Sequence, residues 1–79
     1  KKYEPLIALN GGNDGLDVIK KVIYKAKRIL KINGKLAIEI GNRQSKIVSE
    51  ELKLNNFRIE QNIKDYNDNI RCLISTLVK

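Results

Sequence analysis

The chain has 79 residues, of which 42% are hydrophobic and 32% charged, and its formal net charge is +7. That is sequence for one small domain, too apolar for a disordered chain, yet able to bury only about 60% of its unfolded surface. No run approaches the ~20 apolar residues of a membrane-spanning helix, no signal peptide is expected, and a lone cysteine excludes an internal disulfide framework, so the expected setting is a reducing cytoplasm without a membrane.

The chain holds no methionine, even at position 1, and reads as a piece of a longer or processed protein. Residues 1–13 read as loop: Pro5 pushes Glu4 towards an extended conformation, and Asn10-Gly11-Gly12-Asn13 is turn chemistry. Asp14 is expected to cap a first helix, with Asp17 three residues on. Leu16, Ile19, Ile23, Ala26 and Leu30 recur at helical spacing, widened by Val18, Val22 and Ile29, and Asn33-Gly34 stops the helix.

Residues 35–41 (KLAIEIG) alternate as a strand, with Leu36, Ile38 and Ile40 on one face and Ala37 and Glu39 on the other. After the Gly41-Asn42 turn a second helix is expected over 43–54, with Ile47, Val48, Glu51 and Leu52 along one side and Asn55-Asn56 as its end. Residues 57–63 (FRIEQNI) alternate with Phe57, Ile59 and Ile63 on one face, as in a strand with one wet side. Tyr66 to Asn69 is a turn, and 70–78 is a last strand, apolar on both faces. The second helix makes a parallel crossover between strands 35–41 and 57–63. The last strand returns through a short turn, so it runs antiparallel and is expected between the other two. Both helices should then cover one sheet face. The other face, and the free edge of strand 35–41, are left for absent polypeptide to cover.

The positive charge gathers on the first helix, where Lys20, Lys21, Lys25, Lys27, Arg28 and Lys31 are assigned to its C-terminal half, the half whose dipole they complement. A solvated face is favoured over a nucleic-acid patch, because the four aromatics do not interleave with these cations in sequence. Gly11, Gly12 and Gly15 do not make a phosphate loop, since no strand is expected before them, no Lys-Ser or Lys-Thr follows, and Asp14 and Asp17 would repel phosphate. Without histidine and with one cysteine no zinc site is expected, and Cys72 reads as a small core residue. Asp65 and Arg71 read as a local ion pair beside the hairpin turn. Glu39 stands out because it lies near the C-terminal end of a strand, the end that carries ligands in open α/β sheets. A solvent-facing strand residue is the equal alternative.

Three patterns resemble the release factor glutamine methyltransferases, the HemK/PrmC family. They are E-P-x-x-A-L-x-G-G-x-D-G-L-D over residues 4–17; E-I-G-x-x-Q at Glu39, Ile40, Gly41 and Gln44; and a Phe opening a strand, then Asp six residues before Arg, at Phe57, Asp65 and Arg71. The likeness covers essentially the whole chain in order, and the first pattern is the most specific. The chain departs from the family at turns, with Ile32-Asn33-Gly34 where Pro-Gly-Gly is frequent, and Asn56 and Asp68 where Gly is common.

The resemblance implies an α/β fold: the C-terminal half of a Rossmann-like methyltransferase, with residues 1–13 as a substrate-side loop and 14–79 as a helix-strand-helix-strand-strand unit. It implies an enzyme that uses S-adenosylmethionine to methylate the Gly-Gly-Gln glutamine of peptide chain release factors. The family's Asn-Pro-Pro-Tyr and cofactor loops are not in this sequence and would lie upstream. The chain alone is therefore expected to be inactive, with no catalytic, cofactor or metal residue of its own, and to need the missing N-terminal half as partner. Glu4, Pro5 and Leu9 are the residues implied to flank the substrate glutamine. The rival readings are a small basic module binding ribosomal RNA and a subunit dimerising through its free strand.

Overall fold

The computed structural model describes residues 6–10, 15–41 and 43–79. Its elements are β1 (Leu6–Asn10), α1 (Leu16–Ile29), β2 (Lys35–Glu39), α2 (Ser45–Leu54), β3 (Phe57–Lys64) and β4 (Ile70–Leu77). They form one four-stranded sheet in the order β1-β2-β4-β3. β1 pairs parallel with β2, and β4 runs antiparallel to both β2 and β3.

Leu36 and Ile38 of β2 pair with Ser75 and Leu73 of β4, and Leu77 pairs with Phe57 of β3, so these residues share a sheet face. They join Ile19, Ile23 and Ala26 of α1 and Val48 and Leu52 of α2 in one buried cluster. Both helices thus pack on the same face, as the strand order and the crossover led one to expect. Ser75 is fully buried there, and its hydroxyl donates to the Leu36 carbonyl at 3.3 Å, which satisfies the one polar side chain in this row.

Several expectations are corrected. The stretch 6–10, read as loop, is a strand. Its five residues show no alternation; what makes them a strand is a non-local ladder, Leu6 to Asn10 against Lys35 to Glu39. The edge of β2 expected to be free is therefore occupied by this chain's own residues. Asp14 lies outside the described residues, and the residue at the N-cap of α1 is Gly15, whose carbonyl accepts from the Val18 and Ile19 amides at 3.1 and 3.2 Å. Val18 and Ile29 are exposed and do not widen the buried stripe, and Ile47 is likewise exposed on α2. Because α1 ends at Ile29, Lys20 and Lys21 lie in its first half and Lys31 beyond its end.

The second face of β3 differs most from the sequence pattern. Ile59 pairs with Ser75 and Gln61 with Ile74, leaving Glu60 as the extra residue of a β-bulge. From there the alternation is inverted: Asn62 lies opposite Leu73, and Ile63, opposite Cys72, stands on the face away from the helices. Ile63 is therefore exposed, whereas the sequence pattern groups it with Phe57 and Ile59.

Asn33, Asn56 and Asp68 take positive φ at turns, as their residues suggest, and at α2 the Asn55 amide side chain donates to the Glu51 carbonyl at 2.9 Å. Arg43, expected in the second helix, also takes positive φ, and α2 begins only at Ser45. Among the described residues no helix is long and apolar enough to cross a membrane.

Candidate functional site at the carboxyl end of the sheet

β1 and β2 end together: Asn10 is the register neighbour of Glu39, and Glu39 in turn lies opposite Cys72 near the start of β4. The Ile40 amide donates to the Arg71 carbonyl at 2.9 Å, so the chain leaving β2 is tied to the chain entering β4. β3 reaches the same end, with Ile63 opposite Cys72 and Lys64 opposite Ile70. The end of β1 at Asn10, the turn after Glu39 and the β3–β4 hairpin thus all lie at one end of the sheet. Those are the three segments singled out in the sequence, which parallel pairing of β1 and β2 brings together from positions far apart in the chain.

Each is held by local chemistry. At the β2–α2 turn the Gly41 amide donates to Gln44 Oε1 at 2.8 Å, and Gln44 is also the N-cap of α2. The Gly-x-x-Gln spacing therefore folds the turn back on itself. At the hairpin, Asp65 Oδ1 accepts from the Asn67 and Asn69 amides at 2.8 and 3.0 Å, while Arg71 Nε donates to Asp65 Oδ2 at 2.7 Å. The Arg71 hydrogen bond first, and the Asn69 amide after it, hold the Asp65 carboxyl below its ordinary range.

The Glu39 side chain is exposed and makes no hydrogen bond or ion pair among the described residues. Its carboxylate adds to burial, the larger cause, in pushing the Cys72 thiol above its ordinary value. Cys72 is half-buried rather than a full core residue. Glu4, Pro5, Gly11 and Gly12 lie outside the described residues; Leu9 is in β1 at the register position of Ile38. Sequence reasoning had no role for Gln44 in the turn and no link between Glu39 and Cys72. A Gln three residues after a turn Gly was a usable signal for the first; the second needs the β2–β4 register.

Known proteins carry the same stretch of sequence. A release factor glutamine methyltransferase of Thermodesulfovibrio yellowstonii is 42% identical over 65 residues, which is 82% of this chain and 23% of that protein. One from Fusobacterium nucleatum is 45% identical over 75 residues, 95% of this chain and 21% of that protein. The chain belongs to the release factor glutamine methyltransferase family, matching its C-terminal portion. It spans about a fifth of the length of the curated relatives it matches, so the expected half is too large a share. A ribosomal protein uL3 glutamine methyltransferase of Francisella tularensis is also similar, 48% identical over 42 residues, 53% of this chain and 13% of that protein. No family model matches the sequence, and no solved structure does.

Methyltransferases of this family imply S-adenosylmethionine, and the described residues do not fit it. At the carboxyl end of the sheet Arg71 and Asp65 are committed to each other, and the Gly41 amide to Gln44. The groove the described residues do form, about 600 Å³, is lined by Ser49, Lys53, Asn56, Phe57 and Arg58 among others, between α2 and the far edge strand β3. It lies at the opposite edge of the sheet from β1.

Proposed function

We propose that this chain is the C-terminal portion of a protein glutamine methyltransferase that uses S-adenosylmethionine and acts on the Gly-Gly-Gln glutamine of peptide chain release factors. The end of β1, the Glu39–Gln44 turn and the Asp65–Arg71 hairpin lie at one end of the sheet, in a sequence 42% identical over 65 residues to a protein bearing that name, and this supports the reading. A glutamine amide nitrogen is a poor nucleophile because its lone pair is delocalised into the carbonyl. A site that methylates it must hold the nitrogen in line and stabilise the charge that develops. In this reading that work, and the cofactor, belong to residues upstream of Lys1. This chain contributes one wall, with Leu9 near the end of β1 beside the glutamine and Glu39 at the neighbouring strand end.

The test is methyl transfer from S-adenosylmethionine labelled on the methyl group. The protein with its upstream residues should label a release factor, and a Gly-Gly-Ala variant of that factor should stay unlabelled. The 79-residue chain alone should transfer nothing. Transfer by the chain alone would overturn the placement of the chemistry upstream, and an unlabelled release factor would overturn the substrate. The 48% identity to a uL3 glutamine methyltransferase favours one second reading, a ribosomal protein as substrate, and label appearing on uL3 instead would select it.

A further inference from the structure

The outward side of α1 combines charge and an aromatic ring in a way the proposed methyl transfer does not use. Lys20, Lys21, Tyr24, Lys25 and Arg28 are all exposed, opposite the buried Ile19, Ile23 and Ala26. At 3.6 residues per turn they occupy one arc of about 140°. Between Leu16 and Ile29 five cations less one acid, Asp17, give +4 of the chain's +7.

The fold itself does not account for this charge. A helix dipole favours cations in the last turn, which covers Lys27 and Arg28 and leaves out Lys20 and Lys21. Lys21 and Lys25, and Lys25 and Arg28, are like charges about one turn apart and repel. None of these cations forms an ion pair among the described residues, whose ion pairs are Arg58–Glu60, Lys64–Asp68 and Arg71–Asp65.

Tyr24 sits inside the arc, 56% exposed, with Lys20 and Arg28 one turn to either side. In sequence the aromatics looked separate from the basic residues; helical geometry interleaves this one. A ring among cations suits a single-stranded polynucleotide, whose bases stack while its phosphates meet the charges. An acidic protein surface would use the charges and leave the ring without a role.

We propose that the outer face of α1 is a binding surface for single-stranded nucleic acid, with Lys20, Lys21, Lys25 and Arg28 on the phosphates and Tyr24 stacking on a base. The proposal is independent of methyl transfer.

Fluorescence anisotropy of the 79-residue chain with a labelled 20-nucleotide RNA, the DNA of the same sequence and the annealed duplex tests it, over a potassium chloride series. The logarithm of affinity for the single strand should fall with the logarithm of salt at a slope of about −3, for four to five phosphates. Replacing Lys21, Lys25 and Arg28 together by Gln should flatten that slope by about 2. The same replacement at Lys46, Lys53 and Lys64 should change it by less than half as much. Tyr24→Leu should weaken single strands about tenfold and leave the duplex unchanged. Circular dichroism checks that each variant keeps its helices. Equal loss from the two triple variants would mean general charge and overturn the site, as would no binding at 50 mM salt or an unaffected Tyr24→Leu. A poly-glutamate of the same charge binding as tightly as RNA would overturn it in favour of an acidic protein. RNA against DNA identifies the source of the strand.

Discussion

Arg71 Nε donates to Asp65 Oδ2 at 2.7 Å across the β3–β4 hairpin, while Asp65 Oδ1 accepts from the Asn67 and Asn69 amides. One carboxylate therefore closes the turn and fixes the first residues of β4, whose Arg71 carbonyl in turn accepts from Ile40 at the end of β2. A charge in a surface hairpin thus sets the end of the sheet where the family motifs meet.

The acid sensitivity of that arrangement follows from its sign. Arg71 and the turn amides lower the folded-state pKa of Asp65 below its ordinary 3.8. A depressed carboxyl stabilises fully above the unfolded value, and the contribution is lost as pH falls through the folded one. Thermal melts from pH 6 to pH 2 should show the wild type more stable than Asp65→Asn at the upper end, with the two curves converging at the acid end. A constant gap throughout would show that the charge of Asp65 is not what matters.

Arg43 stands at φ 64°, where a side chain with a Cβ is strained, and it makes no ion pair among the described residues. Arg43→Gly should raise stability by about 1 kcal/mol in urea denaturation. Asn56→Gly and Asp68→Gly, at φ 67° each, should gain less, because Asn and Asp tolerate that region better. A loss of stability at Arg43→Gly would contradict the turn geometry.

Phe57 and Ile63 look equivalent in sequence and are not. Phe57 is 2% exposed and Ile63 40%. Phe57→Ala should cost about 3–5 kcal/mol, as large-to-small core changes do, and Ile63→Ala less than about 1 kcal/mol. Similar costs for both, measured by the same denaturation, would mean the bulge at Glu60 is absent in solution.

Cys72 should be a slow nucleophile, because burial and the Glu39 carboxylate both raise its pKa and leave little thiolate near neutrality. Its alkylation by iodoacetamide at pH 8 should be slower than that of glutathione, and Glu39→Gln should speed it modestly. Alkylation as fast as the free thiol would place Cys72 in a reactive setting.

The sequence by itself determined both helices and three strands, expected over 35–41, 57–63 and 70–78 and found over 35–39, 57–64 and 70–77, because an apolar stripe at helical spacing and alternation at period two are local properties of the chain. Its turn residues marked the positions of positive φ at Asn33, Asn56 and Asp68 for the same reason: Asn and Asp accept that conformation locally. The two-faced apolar pattern of 70–77 even indicated a central strand, and β4 lies between β2 and β3. Only the tertiary structure decided that Leu6–Asn10 is a strand, since its hydrogen bonds come from β2, some thirty residues away. Only it decided that Glu60 is an extra residue and so turned Ile63 outward, because a bulge is defined by the partner strand and leaves no mark in alternation. The grouping of Asn10, Glu39, Cys72 and the Asp65–Arg71 pair at one end of the sheet is of the same kind: register between strands places them there, and register is a relation between segments, not a property of any one of them.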